Sequence, residues 1–161
     1  MSLLVHADLL KAHLDTVEGL EGVYVHVDRK FDIREQAVAE LSKKTKGAFL
    51  AIQLGGWTPM NPDSDRGTYW ANLRHECSFV TVPHILEEMG LPTFDELLQS
   101  LIVAIQGWSP EGVDPDYFAE MRWRVGAGSW VPGDDTFQVY MFPATFGDDF
   151  ANPITVEEVD D

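Results

Sequence analysis

An α+β domain is the expected architecture, with a mostly antiparallel sheet flanked by helices in the order α-β-α-β-β-α-β-β. Three observations lead there. Apolar residues recur at helical spacing behind capping residues in three separated segments. Alternating or near-continuous apolar runs of strand length lie between and after them. These runs mostly follow one another directly, as in hairpins, which favours antiparallel pairing with helices over the faces.

The first helix starts behind Ser2 as a cap, with Leu3, Leu10, Leu14 and Val17 on one side, and Gly19 and Gly22 end it. Val23 to Val27 alternates strictly, so a strand is expected with its valines on one face. Asp32 and Glu35 have the spacing of a capping box, opening a helix to about Lys44 that turns Ile33, Ala37, Val38 and Leu41 inward. Lys43, Lys44 and Lys46 suit the negative end of that helix, and Gly47 stops it. Ala48 to Leu54 is nearly all apolar, as in a central strand buried on both faces.

A loop rich in glycine and proline is expected from Gly55 to Thr68, and a long strand from Tyr69 to Val82, ended by Pro83. Thr93 and Glu96 form a second capping box, followed by Phe94, Leu97, Leu98, Leu101, Ile102 and Ile105, so a helix runs from about Thr93 to Gly107. Residues 111–118 read as a loop. Met121, Trp123 and Val125 alternate with Glu120, Arg122 and Arg124, which gives a strand with one polar face. Gly126 and Gly128 mark a bend or bulge. Pro132-Gly133 suits a type II turn, and Phe137 to Phe142 is the returning strand, with Tyr140 and Phe142 opposite Phe137, Val139 and Met141. Residues 1–150 form one domain, and 151–161 an acidic C-terminal tail, within an acidic stretch that starts at Gly147.

The chain has 161 residues, 45% of them hydrophobic and 24% charged, an ordinary globular balance. No apolar run approaches the ~20 residues of a membrane span, and the start carries no basic segment or cleavage site of a signal peptide. A single cysteine, Cys77, excludes an internal disulfide and a multi-cysteine zinc site, and a reducing compartment is the default. Asp and Glu number 27 against 11 Lys and Arg, a net charge of −16. From Ser109 onward there are twelve acids and two bases. Such a chain repels nucleic acid and anionic lipid.

No constellation for catalysis stands out, and a non-enzymatic protein without cofactor or metal is expected. The histidines His6, His13, His26, His75 and His84 make no HExxH or His-x3-His pair. His75 and Cys77 share a strand face with Glu76 turned away, one ligand short of a site. There is no GxSxG elbow or phosphate loop, and adjacent acids such as Asp134-Asp135 and Asp148-Asp149 read as a solvated face. Aromatic residues near loops stand out instead. Trp57, Tyr69, Trp70 and Trp130, with Tyr140, Arg66, Arg122 and Arg124, are the candidate subunit interface, because interface cores favour aromatics and arginine. Trp108 also lies beside a loop.

The element order and the size resemble the tail-terminator and minor tail proteins of long-tailed phages and prophages. The resemblance is carried by Leu3 to Val17, the strands around Phe49 to Leu54 and Arg74 to Val82, the helix Phe94 to Gly107 ending in Gly107-Trp108-Ser109-Pro110, and the strands Arg122 to Val125 and Phe137 to Pro143. It implies a six-membered homo-oligomeric ring that caps the tail tube and joins it to the head, with other tail or head-completion proteins as partners. It also implies assembly in the host cytoplasm followed by residence in the virion tail. It transfers no catalytic residue. The alternative is a small acidic cytosolic binding or inhibitor protein, such as a DNA mimic, although the acids lie in loops and the tail rather than in rows.

Overall fold

The structure, a computed structural model, describes residues 5–28, 33–43, 45–59, 70–111, 121–132 and 137–149. Helix α1 (Val5–Leu14) buries His6, Ala7, Leu10 and Leu14. Val17, beyond its end, packs on the same core, while Ser2 and Leu3 lie outside the described residues. Strand β1 (Val23–Asp28) buries all three of its valines on one face. Helix α2 (Ile33–Ser42) buries Ala37 and Leu41 but leaves Val38 41% exposed, so the inward stripe is narrower than expected. Its expected cap, Asp32, is outside the described residues, as is Lys44. Helix α2 ends at Ser42, so Lys43 follows its last turn directly and pairs with Glu40, while Lys46 lies farther on and donates to the Glu21 carbonyl.

The central hairpin is longer than the glycines suggested. Strand β2 (Ala48–Pro59) runs through Gly55 and Gly56, and β3 (Trp70–Thr81) pairs with it along its whole length. A register shift between Leu54 and Gly56 absorbs the extra residue as a bulge. The bulge puts Trp57, rather than Gly56, in register with the Leu73 position. Residues 60–69, including Arg66 and Tyr69, lie outside the described residues.

Pro83 starts a short helix, α3 (Pro83–Glu88), that the sequence reading did not include. Proline ends a strand and suits the first turn of a helix for one reason, its missing N–H. Helix α4 (Phe94–Ile105) is capped as expected: the Glu96 N–H donates to Thr93 Oγ1 at 3.4 Å. It buries Phe94, Leu97, Leu101 and Ile105, with Leu98 partly buried.

The last strands differ most from expectation. The segment from Met121 to Val125 is paired as a strand only at β4 (Arg124–Val125). Upstream of it the backbone bonds to the end of α4 instead: Trp123 N–H donates to Trp108 O at 2.9 Å, and Gly107 N–H to Trp123 O at 2.8 Å. A second short strand, β5 (Ser129–Trp130), follows. Both pair with β6 (Gln138–Asp149), so 124–130 is one edge strand interrupted at Gly126 to Gly128. A Cβ on Gly126 would stand 2.7 Å from Pro143 Cγ, and one on Gly128 2.5 Å from the Tyr140 ring, which is why both positions are glycine. Strand β6 continues to Asp149, and Asp148 is 2% exposed, so the acidic stretch after Gly147 begins inside the sheet. Residues 112–120, 133–136 and 150–161 are outside the described residues, so the Pro132-Gly133 turn and the tail are too.

The architecture is α+β, as expected, and among the described residues six strands are ordered β1-β2-β3-β6-β4, with β5 also on β6. Strands β1 and β2 are parallel, joined through α2; every other pair is antiparallel. One face carries α1 and α4 over Val25, Leu50, Phe79, Cys77, Phe142 and Phe146. The opposite face carries α2 over Phe49, Ala51 and Val80, with Val139 and Phe137 beside them. Burial on both faces explains the near-continuous apolar run in β2.

Candidate functional site

Trp130 stands on the edge strand, 53% exposed. Its ring lies 4.7 Å from Phe94 and meets Tyr140 edge-on at 5.5 Å and 80°. Tyr140 is half-buried against the main core, so it supports Trp130 rather than presenting itself. Phe94 joins the cluster because the Thr93 cap fixes where α4 begins over the sheet.

Trp57 stands at another corner, 47% exposed, placed there by the bulge. The register puts it in the row Trp57–Leu73–Phe146, and puts Trp130 in the row Leu50–Phe79–Tyr140–Trp130. From Phe79 to Leu73 is six residues, about 20 Å, and β2 to β5 is three strand spacings, about 14 Å. The two tryptophans therefore mark diagonally opposite corners, about 25 Å apart by this spacing. Trp70 begins β3 beside Asp149 in the register. Trp57, Trp130 and Tyr140, among the described candidate residues, thus do not form one patch.

Arg122 and Arg124 lie apart from both tryptophans, at a cleft next to the end of α4 lined by Gln106, Gly107, Arg122, Trp123 and Arg124. Arg124 is exposed and Arg122 half-buried, and both interact within the chain. The alternation of Trp123 (fully buried) with its arginine neighbours was readable from sequence; the partnership with Gln106, whose Oε1 accepts from Val125 N–H at 2.9 Å, was not.

A buried polar cluster was also missed. His6 Nε2 donates to Asp148 Oδ2 at 2.9 Å, joining α1 to the end of β6 across 142 residues of sequence. His6 stacks obliquely on Phe146 at 4.8 Å, Phe146 lies 5.6 Å from Trp123, and Trp123 4.9 Å from His75. His75 is fully buried, and neither ring nitrogen has a hydrogen-bond partner. Burial, reinforced by His6, lowers its pKa to about 4; the nearby Ala144 and Leu73 backbone groups oppose this without reaching hydrogen-bond geometry. His75 is therefore neutral at pH 7. Only the equal spacing of His75 and Cys77 on one strand face hinted at this cluster.

Cys77 is fully buried too, and burial, with Glu76 adding repulsion, pushes its thiol well above the ordinary range. It packs as a small apolar residue. Among the described residues no three His, Cys, Asp or Glu side chains converge as metal ligands, and no helix is long and apolar enough to cross a membrane. No protein-family model matches the chain, and no curated protein matches it.

Proposed function

We propose that the chain is a structural subunit of a phage or prophage tail, of the tail-terminator kind, which forms a closed ring capping the tube. The observation that supports this most is the placement of Trp57 and Trp130. Two half-exposed tryptophans on opposite corners give a subunit two different sticky patches. A twofold dimer uses one patch twice, whereas a head-to-tail ring needs two that differ. In this reading the Trp57 corner of one subunit meets the Trp130 corner of the next, six times around by the family resemblance. The net charge of −16 suits a ring that DNA crosses without adhering.

Sedimentation of the full chain at high concentration tests it, using Trp57→Ala, Trp130→Ala and their equimolar mixture. Each variant alone should lose the ring. The mixture should go no further than a weak heterodimer, seen only at high concentration, because one intact pair of patches remains and no ring can close. Rings that survive both substitutions would refute the corner assignment. A wild-type chain that stays monomeric at every concentration would favour a small acidic binding protein instead.

A further inference from the structure

Helix α1 lies over a buried polar cluster that makes no provision for a positive charge. His75 is fully buried, and neither of its ring nitrogens has a hydrogen-bond partner. The Trp123 indole N–H and His6 Nδ1 are buried without partners as well. His6 stands on α1 near enough to His75 to repel a charge there. The same ring holds α1 to the sheet, through the 2.9 Å contact of His6 Nε2 with Asp148 Oδ2 near the end of β6.

On β6, Ala144 lies opposite His75 in the register, and Asp148 shares that face with its Oδ2 engaged by His6. On β2, Leu54 lies opposite. On β3 itself, Cys77 shares the face with a thiol that burial keeps protonated, while Arg74 and Glu76 take the other face and pair with each other. Trp123 packs on the His75 ring at 4.9 Å, and Arg122 and Arg124 beside it line the cleft at the end of α4. Helix α4 turns Phe94, Leu97, Leu101 and Ile105 inward. A proton on His75 therefore places a buried charge beside His6 without an acceptor of its own, a costly state that opening to water relieves.

Trp123 and α1 differ in how firmly they are seated. Trp123 is fully buried, and its backbone is tied to the end of α4 by hydrogen bonds of 2.9 and 2.8 Å. Helix α1 has ten residues and buries, besides His6, one alanine and two leucines. Undocking α1 is the smaller opening, and it takes His6 away from His75 in the same movement. We infer that α1 is an acid-released cover: when His75 takes up a proton, α1 leaves the sheet and breaks the His6–Asp148 contact while the central strands stay paired. Such an opening is confined to one helix, unlike the general loss of stability that a buried histidine brings in acid. It lies within a single chain and does not depend on the ring.

Native-state hydrogen exchange of the full chain at pH 7, 6 and 5 tests this, each rate being divided by its intrinsic rate. The amides in the second half of α1 should exchange through an opening of lower free energy than those of β3, in the middle of the sheet. The His75 pKa is lowered from 6.5 to about 4, so the opening constant of α1 should rise about 20-fold from pH 7 to pH 5. In His75→Leu, which keeps His6 and Asp148, most of that rise should disappear. His75→Gln, which also binds no proton, takes its place if the leucine variant fails to fold. A single free energy for α1 and β3 at every pH would overturn the cover, because only global unfolding would then open α1. A local opening of α1 that ignores pH would overturn it as well, because His75 would stay buried beneath the undocked helix. A rise that persists in full without His75 would overturn His75 as the trigger and assign the opening to the His6–Asp148 pair.

Discussion

Replacing His75 with leucine should flatten the acid side of the stability curve. His75 is fully buried between Trp123 and the sheet, and its pKa is lowered from 6.5 to about 4. The folded state therefore binds fewer protons at this site than the unfolded state between those values. Stability from the neutral imidazole is fully present above pH 6.5 and is lost as pH falls towards 4. The full interval of 2.5 units corresponds to about 3 kcal/mol, at about 1.4 kcal/mol per unit. Between pH 7 and pH 5, safely above the isoelectric pH of about 4.4, the loss is about 2 kcal/mol. Leucine has a similar volume and no proton to bind. It also removes two buried nitrogens that lack partners, so His75→Leu should be at least as stable as wild type at pH 7. Urea unfolding followed by tryptophan fluorescence at pH 7, 6 and 5 measures this directly. The other titrating groups are common to both chains, so the difference between the curves reports His75 together with its coupling to His6. Wild-type and His75→Leu curves that run parallel from pH 7 to pH 5 would refute the reasoning.

Other consequences follow from packing and charge. Leu101→Ala, at a fully buried position on α4, should cost about 2–5 kcal/mol in chemical denaturation; a change near zero would contradict its place in the core. Gly128→Ala should lower stability by about 1–3 kcal/mol, because its Cβ would meet the Tyr140 ring at 2.5 Å and the Met141 carbonyl at 2.7 Å; it should also change the fluorescence of Trp130, which leans on Tyr140. Plain duplex DNA should show no micromolar, salt-sensitive binding in an anisotropy titration, since the net charge of −16 opposes it.

The elements that were legible in the sequence are those whose pattern is local. The valines of β1, the double-sided apolar run of β2 and the Thr93 cap of α4 each follow from neighbours a few residues apart. What failed depended on partners far along the chain. Gly55 and Gly56 read as loop because glycine is common there, yet a strand accommodates them when its partner offers a bulge register. Trp123 alternates like a strand residue, but its backbone finds Trp108 and Gly107 at the end of α4 before it reaches β6. Pro83 was readable as a boundary, not as the start of a helix. At the site, the type of residue was legible and its grouping was not. Trp57 and Trp130 were both expected at an interface, and only the register separates them into two corners. The pairing of His6 with Asp148 spans almost the whole chain and leaves no local trace.

The energetics of the corners bear on how a ring would assemble. A tryptophan exposes up to about 250 Å² in the unfolded chain, so a half-exposed one offers about 100 Å² to a partner, worth about 2–3 kcal/mol. Two such residues per contact supply about 5 kcal/mol, which only meets the lower estimates of the cost of association, about 4–15 kcal/mol. Repulsion between chains of net charge −16 adds to that cost, although physiological salt confines it to about 8 Å. An open dimer held by the tryptophans alone is therefore weak. The subunit that closes a ring forms two contacts while losing its freedom once, so closure is far more favourable than any preceding step. A distribution of monomers and complete rings, with few intermediates, is the expected result in native mass spectrometry. Added salt screens the general repulsion and so strengthens the tryptophan corners. A ladder of dimers, trimers and tetramers at equilibrium would show that a single contact is stable by itself, and that the corner tryptophans are not what limits it.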